Sequence, residues 1–386
     1  MLRVGIIGVG NIGYTHARSV YDGHIENMCL VGLCDISREI RTMAAQEFPN
    51  VAFFEGYEDL LSQDLDAVIV SVPHPLHAQV ATAAFRAGKH VLVEKPMEIT
   101  LSRAKALAFE AKKSGKVFGI MFNQRTGNLF QKARDIVRGG LLGQLKRTSW
   151  VITNWYRSQH YYDSGSWRAT WSGEGGGVLM NQAPHQLDLW QWICGMPESV
   201  TAFCDVAKYH HIQVEDSATI HVRFPGGADG TFITSTGEYP GTNRLEIVGT
   251  KGKLVLEDGK LKWWQLEEDE RDVCRSAAVS FPKIPCSYRE ISQADTGSSH
   301  RKILQNFANA IEKGEPLLAP GCDGICEVTL QNAAYLSAWT GRTVTLPLDE
   351  ALYDRLLARL QTDSPRQVST AAERHPDYST RWQINW

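Results

Sequence analysis

The chain has 386 residues, of which 43% are apolar and 22% charged, and its net charge is −3. That length supports two or three domains, and that composition a large buried core, which excludes wholesale disorder. The balance of acids and bases excludes a general nucleic-acid binder, and no apolar run is long enough to cross a membrane.

Met1 to Gly13 opens with an apolar stretch. No small-residue cleavage site follows, so it reads as strand and turn rather than as a secretory leader. Up to about residue 121 strands and helices alternate. Strand-like runs lie at Leu2–Ile7, Cys29–Cys34, Ala67–Val72, His90–Val93 and Val117–Met121. Helix-like stretches lie at Tyr14–Asp22, Arg38–Phe48, Leu76–Ala87 before Gly88, and Leu101–Ser114 before Gly115. Glycine is a good helix stop at both places. The alternation predicts βαβ units and a doubly wound parallel sheet over residues 1–121. The pattern then changes. A helix is expected at Leu129–Arg138, a half-buried strand at Lys146–Asn154 and a helix at Val178–Cys194. Several strands follow from Val200 to Trp264, between turns such as Pro225-Gly226-Gly227 and Asp258-Gly259. Residues 122–350 therefore read as a second α/β domain with a large open, mostly antiparallel sheet, carrying further helices at Ile303–Lys313 and Gly324–Thr340. Residues 351–386 are expected to form a C-terminal helix and a polar tail. The eight cysteines are scattered and none forms Cys-x-x-Cys. They predict reduced core thiols, a cytoplasmic protein and no metal. His210, His211 and His221 lack a clustered thiolate or carboxylate and do not alter that expectation.

Gly8-Val9-Gly10-Asn11-Ile12-Gly13 matches G-x-G-x-x-G between a predicted strand and a predicted helix, the context that gives this otherwise weak pattern its meaning. Gly8 suits a tight turn and Gly10 lets a pyrophosphate approach the backbone. Gly13 lets helix and strand pack closely, while the helix N-terminus faces the phosphate charge. The expected cofactor is a dinucleotide. Asp35 lies at the end of the second strand, where a carboxylate accepts from the ribose hydroxyls and repels a 2′-phosphate, favouring NAD. Arg38 is close by and suits a phosphate, which leaves NADP open.

In a doubly wound sheet, ligands bind beyond the carboxyl ends of the strands. Ser71-Val72-Pro73-His74-Pro75-Leu76-His77 and Glu94-Lys95-Pro96 occupy two such ends. Lys95 is stiffened by the proline that follows. Taken alone it suits either a catalytic or a solvated lysine.

With Asn123-Gln124-Arg125, and with Gly175-Gly176-Gly177 followed by His185 and Asp188, these segments resemble the Gfo/Idh/MocA family in residue and order, from Leu2 to about Leu346. The resemblance implies an N-terminal Rossmann domain and a C-terminal α/β domain whose open sheet builds homodimers or homotetramers. It implies hydride transfer between NAD(P) and sugars, cyclitols or related polyols. It makes Lys95 the catalytic lysine, whose ammonium holds the reacting oxygen, and His185 the group that removes the hydroxyl proton. An imidazole suits that task near neutral pH. Asn181 stands where the family usually has an aspartate. An amide cannot shuttle a proton but can hydrogen-bond a substrate hydroxyl, so proton removal falls mainly to His185. Asp188 reads either as a support for the His185 ring or as a helix-surface charge. Cofactor contacts are expected from Gly8, Gly10, Asn11, Ile12, Gly13, Asp35, Ile36, Arg38, Ser71, Pro73, His74, His77, Glu94, Lys95 and Asn123.

Trp150, Trp155, Trp167, Trp171, Trp190 and Trp192 crowd the region after residue 149, with Tyr156, Tyr161 and Tyr162 among them. Aromatic faces beside polar tips suit sugar rings, and they also suit a core or an oligomer interface. The expected substrate contacts are Lys95, Asn123, Arg125, Trp155, Tyr156, Arg157, Trp167, Arg168, Asn181, Gln182 and His185. The expected function is NAD-dependent oxidation of a secondary hydroxyl on a sugar, cyclitol or glycoside. One alternative is glycoside cleavage through transient oxidation and elimination. A more distant one is a non-catalytic sensor of dinucleotide and sugar, against which the presence of both Lys95 and His185 argues.

Overall fold

The computed structural model describes residues 1–165, 167–292 and 298–363. Among the described residues a first sheet has six strands: β1 (Leu2–Ile7), β2 (Met28–Cys34), β3 (Ala52–Phe54), β4 (Ala67–Val70), β5 (His90–Val93) and β6 (Phe118–Ile120). All pairings are parallel, in the order β3-β2-β1-β4-β5-β6. Helices α1 (Asn11–Tyr21), α2 (Arg38–Glu47), α3 (Tyr57–Leu61), α4 (His77–Arg86) and α5 (Leu101–Ser114) make the crossovers. Every residue of β4 is buried, which is why it reads as an unbroken apolar run. The strand order reverses between β1 and β4, so the crevice above their carboxyl ends is the switch point where such sheets take their ligands.

Two elements here have no counterpart in the predicted set. β3 is a three-residue edge strand and α3 a five-residue helix, both too short for periodicity to register. α1 starts at Asn11 rather than Tyr14, because Gly10 is its N-cap and the glycine turn runs straight into the helix.

The second half of the chain adds α6 (Asn128–Arg138), β7 (Leu145–Ile152), α7 (Gln159–Asp163), α8 (Val178–Asn181), α9 (Pro184–Cys194) and the strands β8 (Ser199–Val206), β9 (Glu215–Arg223), β10 (Asp229–Ser235), β11 (Asn243–Gly249), β12 (Gly252–Glu257) and β13 (Lys260–Leu266). It ends with α10 (Glu270–Ser276), β14 (Cys286–Ser292), α11 (His300–Lys313), α12 (Gly324–Thr340), β15 (Val344–Thr345) and α13 (Glu350–Asp363). Nine strands form one sheet in the order β14-β13-β12-β11-β7-β10-β9-β8-β15 among the described residues. Every pairing is antiparallel except β7 with β10. The expected single helix over Val178–Cys194 is two. Pro184 has no N–H to donate back along α8, so it starts α9 at a position where that donor is not needed. The tail expected beyond α13 falls on residues 364–386, outside the described residues.

Trp150, Trp190 and Phe232 pack together beneath this sheet, with the two indole rings 6.1 and 5.6 Å from Phe232. The last helices return to the first sheet. Gln305 of α11 donates to Asn27 at 2.9 Å, and Asn332 of α12 brackets the backbone of Ile99 and Leu101 at 3.0 and 2.8 Å. α12 thereby supports the segment that carries Lys95.

Candidate active site

The glycine turn closes on itself. A side chain on Gly13 would meet the Gly8 carbonyl at 1.9 Å, and Gly8 sits at φ +88° against the backbone of Ser71. A Cβ on Gly10 would meet nothing within 4 Å. The turn thus leaves open space at the one glycine where a pyrophosphate must approach, beside the N-terminus of α1. Asp35 accepts from Val9 N at 2.8 Å and from Ser37 N at 2.9 Å, so it also braces the turn. Ser71 Oγ donates to the Gly8 carbonyl at 2.8 Å. Asn11 and Ile12 are half-buried, whereas Ile36 and Arg38 are exposed.

Glu94 and His77 differ from their expected roles. Glu94 is buried, and its carboxylate meets His16 Nε2 at 2.7 Å. Burial works against its charge, but His16, with His300 and Lys95 beyond, holds the carboxyl down at about 2. His77 is buried between two carbonyls, Nδ1 at 2.7 Å from Pro96 O and Nε2 at 2.8 Å from Val72 O. It clamps the ends of β4 and β5 together, and both ring nitrogens are taken up by these main-chain oxygens. Pro73 leads into a short 3-10 turn at His74–Leu76. The His74 Nδ1 lies 3.1 Å from the main-chain oxygen of Glu174, and its ring meets Trp167 edge-on at 5.7 Å.

Lys95 projects from the end of β5 across to the other half of the chain. Its Nζ donates to the main-chain carbonyl of Asn181 at 2.8 Å. Burial pulls the ammonium below its usual value, and Glu94, Glu327 and Glu174 partly restore it. His185 is buried at the start of α9, and burial, with Lys95 and His300, holds its pKa well below the usual imidazole value. Burial thus favours the uncharged ring. Its Nδ1 is buried without a hydrogen-bond partner, as is the Oδ1 of Asn123. Buried polar atoms are rarely orphaned, so these two mark a place for groups supplied by ligands. With the open space at Gly10, these atoms fit a site that would hold a dinucleotide.

The glycine run after Glu174 owes its composition to close packing. A side chain on Gly177 would meet the Glu215 carbonyl at 1.9 Å. Glu215 in turn accepts from Gly177 N and Leu179 N at 2.9 Å each and from Tyr335 Oη at 2.8 Å. Burial pushes Glu215 up to about 7 against those three donors.

The substrate side divides. Trp167, Arg168, Tyr161, Gln182 and Arg157 gather in one cluster. Tyr161 Oη accepts from Arg168 at 2.9 Å and from Gln182 at 3.1 Å, and both guanidiniums lie over its ring. Arg168 also stacks on Trp167. Tyr156 is exposed and packs on Tyr239. Trp155 is 2% exposed and donates to Thr234 Oγ1, so it belongs to the core rather than to a pocket wall, as do Trp150, Trp171 and Trp190. Arg125 is not a substrate contact either. It is buried in ion pairs with Asp188 and Asp323. Asp188 therefore serves Arg125, not the His185 ring. His210, one of the metal candidates, instead ties Asp216 to the carbonyl of Arg157.

Four residues gain weight that the motifs did not give them. His16 and Tyr161 are fixed by long-range partners. Glu174 carries the one sequence signal available, an acid directly before the glycine run. Glu327 is the one charged residue of α12; both its carboxylate oxygens are buried without hydrogen-bond partners among the described residues, and burial pushes it well above the usual carboxylate value.

The profile of an oxidoreductase family with an NAD-binding Rossmann fold matches residues 2–122, and that of the GFO/IDH/MocA C-terminal domain matches residues 130–255. A myo-inositol 2-dehydrogenase of Thermotoga maritima is 25% identical over 355 residues, covering 89% of this chain and 98% of that protein. A glycosyl hydrolase family 109 protein of Shewanella sp. W3-18-1 is 31% identical over 192 residues, 46% of this chain and 41% of that one. Among solved structures, the WlbA dehydrogenase of Chromobacterium violaceum in complex with NADH and UDP-GlcNAcA superposes with a TM-score of 0.78 at 27% identity, covering 90% of this chain and 96% of that one.

Proposed function

The chain belongs to the Gfo/Idh/MocA family of NAD-binding oxidoreductases, and from that premise we propose that it oxidises a secondary hydroxyl of a sugar or cyclitol with Lys95 and His185 as its catalytic residues. Bound NAD supplies the hydride acceptor. The glycine turn would hold its phosphates and Asp35 its ribose, with Asn123 among the residues that would line its site. The Lys95 ammonium binds the reacting oxygen and steadies the negative charge that grows there. Neutral His185 takes the hydroxyl proton as the carbon gives up its hydride, and the carbonyl forms. Asn181 and Gln182 bond neighbouring hydroxyls. Trp167, Tyr161 and Arg168 offer a ring face with polar edges. A cytoplasmic home suits the eight free thiols, and a second copy across the open sheet suits exposed Phe203 and Val206. No helix among the described residues is long and apolar enough to cross a membrane.

The observation that carries this reading is the 2.8 Å bond from Lys95 Nζ to Asn181, which brings the first sheet's lysine against the glycine-run segment that leads to His185. The test is a screen of inositols, aldoses, uronates and glycosides with NAD, followed by reduced-nicotinamide absorbance. Steady formation of NADH with one substrate class supports the reading. Similarity to the family 109 protein favours a second one, glycoside cleavage through transient oxidation. Aglycone release without net NADH selects it.

A further inference from the structure

Glu174 is 2% exposed and has no ion-pair partner within 4 Å among the described residues. One carboxylate oxygen accepts from Ala169 N at 2.7 Å, and the other accepts from the side-chain amide of Asn181. Tying Ala169 to Asn181 requires only two acceptors, so a buried negative charge is an expensive way to do it unless the charge has a use. We propose that Glu174 is the positioning carboxylate of this site: it fixes the Asn181 amide with Oδ1 turned to the substrate and places a carboxylate among the charged groups around Lys95.

An asparagine side chain has one donor end and one acceptor end. With Nδ2 committed to Glu174, Oδ1 remains to accept from a substrate hydroxyl. Asn181 is half-buried, and its main-chain oxygen already receives Lys95. Glu174, Asn181 and Lys95 thus form one chain of contacts, and the Glu174 main-chain oxygen extends it to His74. The charged and titratable groups facing Lys95 are Glu94 from the end of β5, Glu327 from α12, Glu174, and Arg168, with His74, His77, His185 and His300 around them. Burial raises the Glu174 carboxyl, and Arg168, Asn181, Ala169 and Lys95 draw it back.

This inference rests on the proposed function, so its test includes a readout that needs no substrate. The titration of Lys95 is followed by its rate of acylation against pH, mapped by mass spectrometry. In Glu174→Gln the Lys95 midpoint is expected to fall by roughly half to one pH unit. In Glu174→Asp, which keeps the charge, it stays near the wild-type value even if the Asn181 bond is lost. With a turned-over polyol, Glu174→Gln also raises KM and moves the alkaline limb of kcat/KM to lower pH, whereas Asn181→Ala raises KM and leaves that limb in place. An unchanged Lys95 midpoint in Glu174→Gln, with folding intact by circular dichroism, overturns the proposal. A wild-type protein that oxidises no polyol overturns the functional reading instead, and the acylation experiment still decides the role of Glu174.

Discussion

Arg125 donates from Nε and Nη2 to the two carboxylate oxygens of Asp188, at 2.8 and 2.6 Å, and both side chains are 1% exposed. The fork joins the segment after β6 to α9, one turn beyond His185. It therefore sets where the imidazole lies relative to the first sheet. Removing the guanidinium strands a buried carboxylate. Arg125→Ala is expected to lose about 3–5 kcal/mol in denaturant unfolding. A loss below about 1 kcal/mol contradicts this role for the pair.

The two glycines of the turn make opposite predictions. Gly10→Ala adds a methyl to open space at a φ of −66°, which alanine accepts. Its unfolding should match the parent within about 0.5 kcal/mol, while its NAD affinity, read by fluorescence titration, falls at least roughly tenfold. Gly13→Ala drives a methyl into the Gly8 carbonyl and should lose stability as well as binding.

The site's pH profile follows from its two depressed pKa values. His185 must be neutral to accept a proton, and its pKa lies well below the usual imidazole value. The acid limb of kcat/KM should therefore fall below pH 6.5. Lys95 must be charged to hold the oxygen, and its pKa lies below 10.5, so activity is lost as pH rises through that lowered value. An acid limb at or above 6.5 contradicts the assignment of His185.

Glu215 couples the glycine run to pH. Its folded value of about 7 exceeds its ordinary 4.5, so the folded state holds the extra proton. Its contribution to stability is complete below about pH 4.5 and is lost as pH rises towards 7, by up to roughly 3 kcal/mol. Unfolding free energies measured from pH 4.5 to 7 should fall more steeply for the parent than for Glu215→Gln. Parallel curves contradict the prediction.

Much of this was readable in the chain because some residues act through local geometry. Gly8 to Gly13, Lys95 before Pro96, and Gly175 to Gly177 before His185 each impose a turn or a close approach that few other residues permit. With the alternation of strand and helix they made the fold readable, and their order supplies the proposed pair, Lys95 and His185. What stayed hidden depends on partners far along the chain. Arg125 and Trp155 look like pocket residues until Asp188 and Thr234 are seen to claim them. His77 looks like a ligand until Val72 and Pro96 enclose it. Glu174 gave only a faint signal, because its significance lies in facing Asn181 and Lys95. The strand β3 was lost to its length, and the break at Pro184 to the apolar run on either side of it.

The measurement that bears most directly on the central claim is NADH formation by the parent and by Lys95→Met and His185→Ala, on the same polyol panel, with NAD affinity measured in parallel. The account predicts oxidation by the parent, a loss of roughly 10² to 10⁴ in kcat/KM for each variant, and near-parental NAD affinity in His185→Ala. Variants that turn over at the parental rate would contradict it.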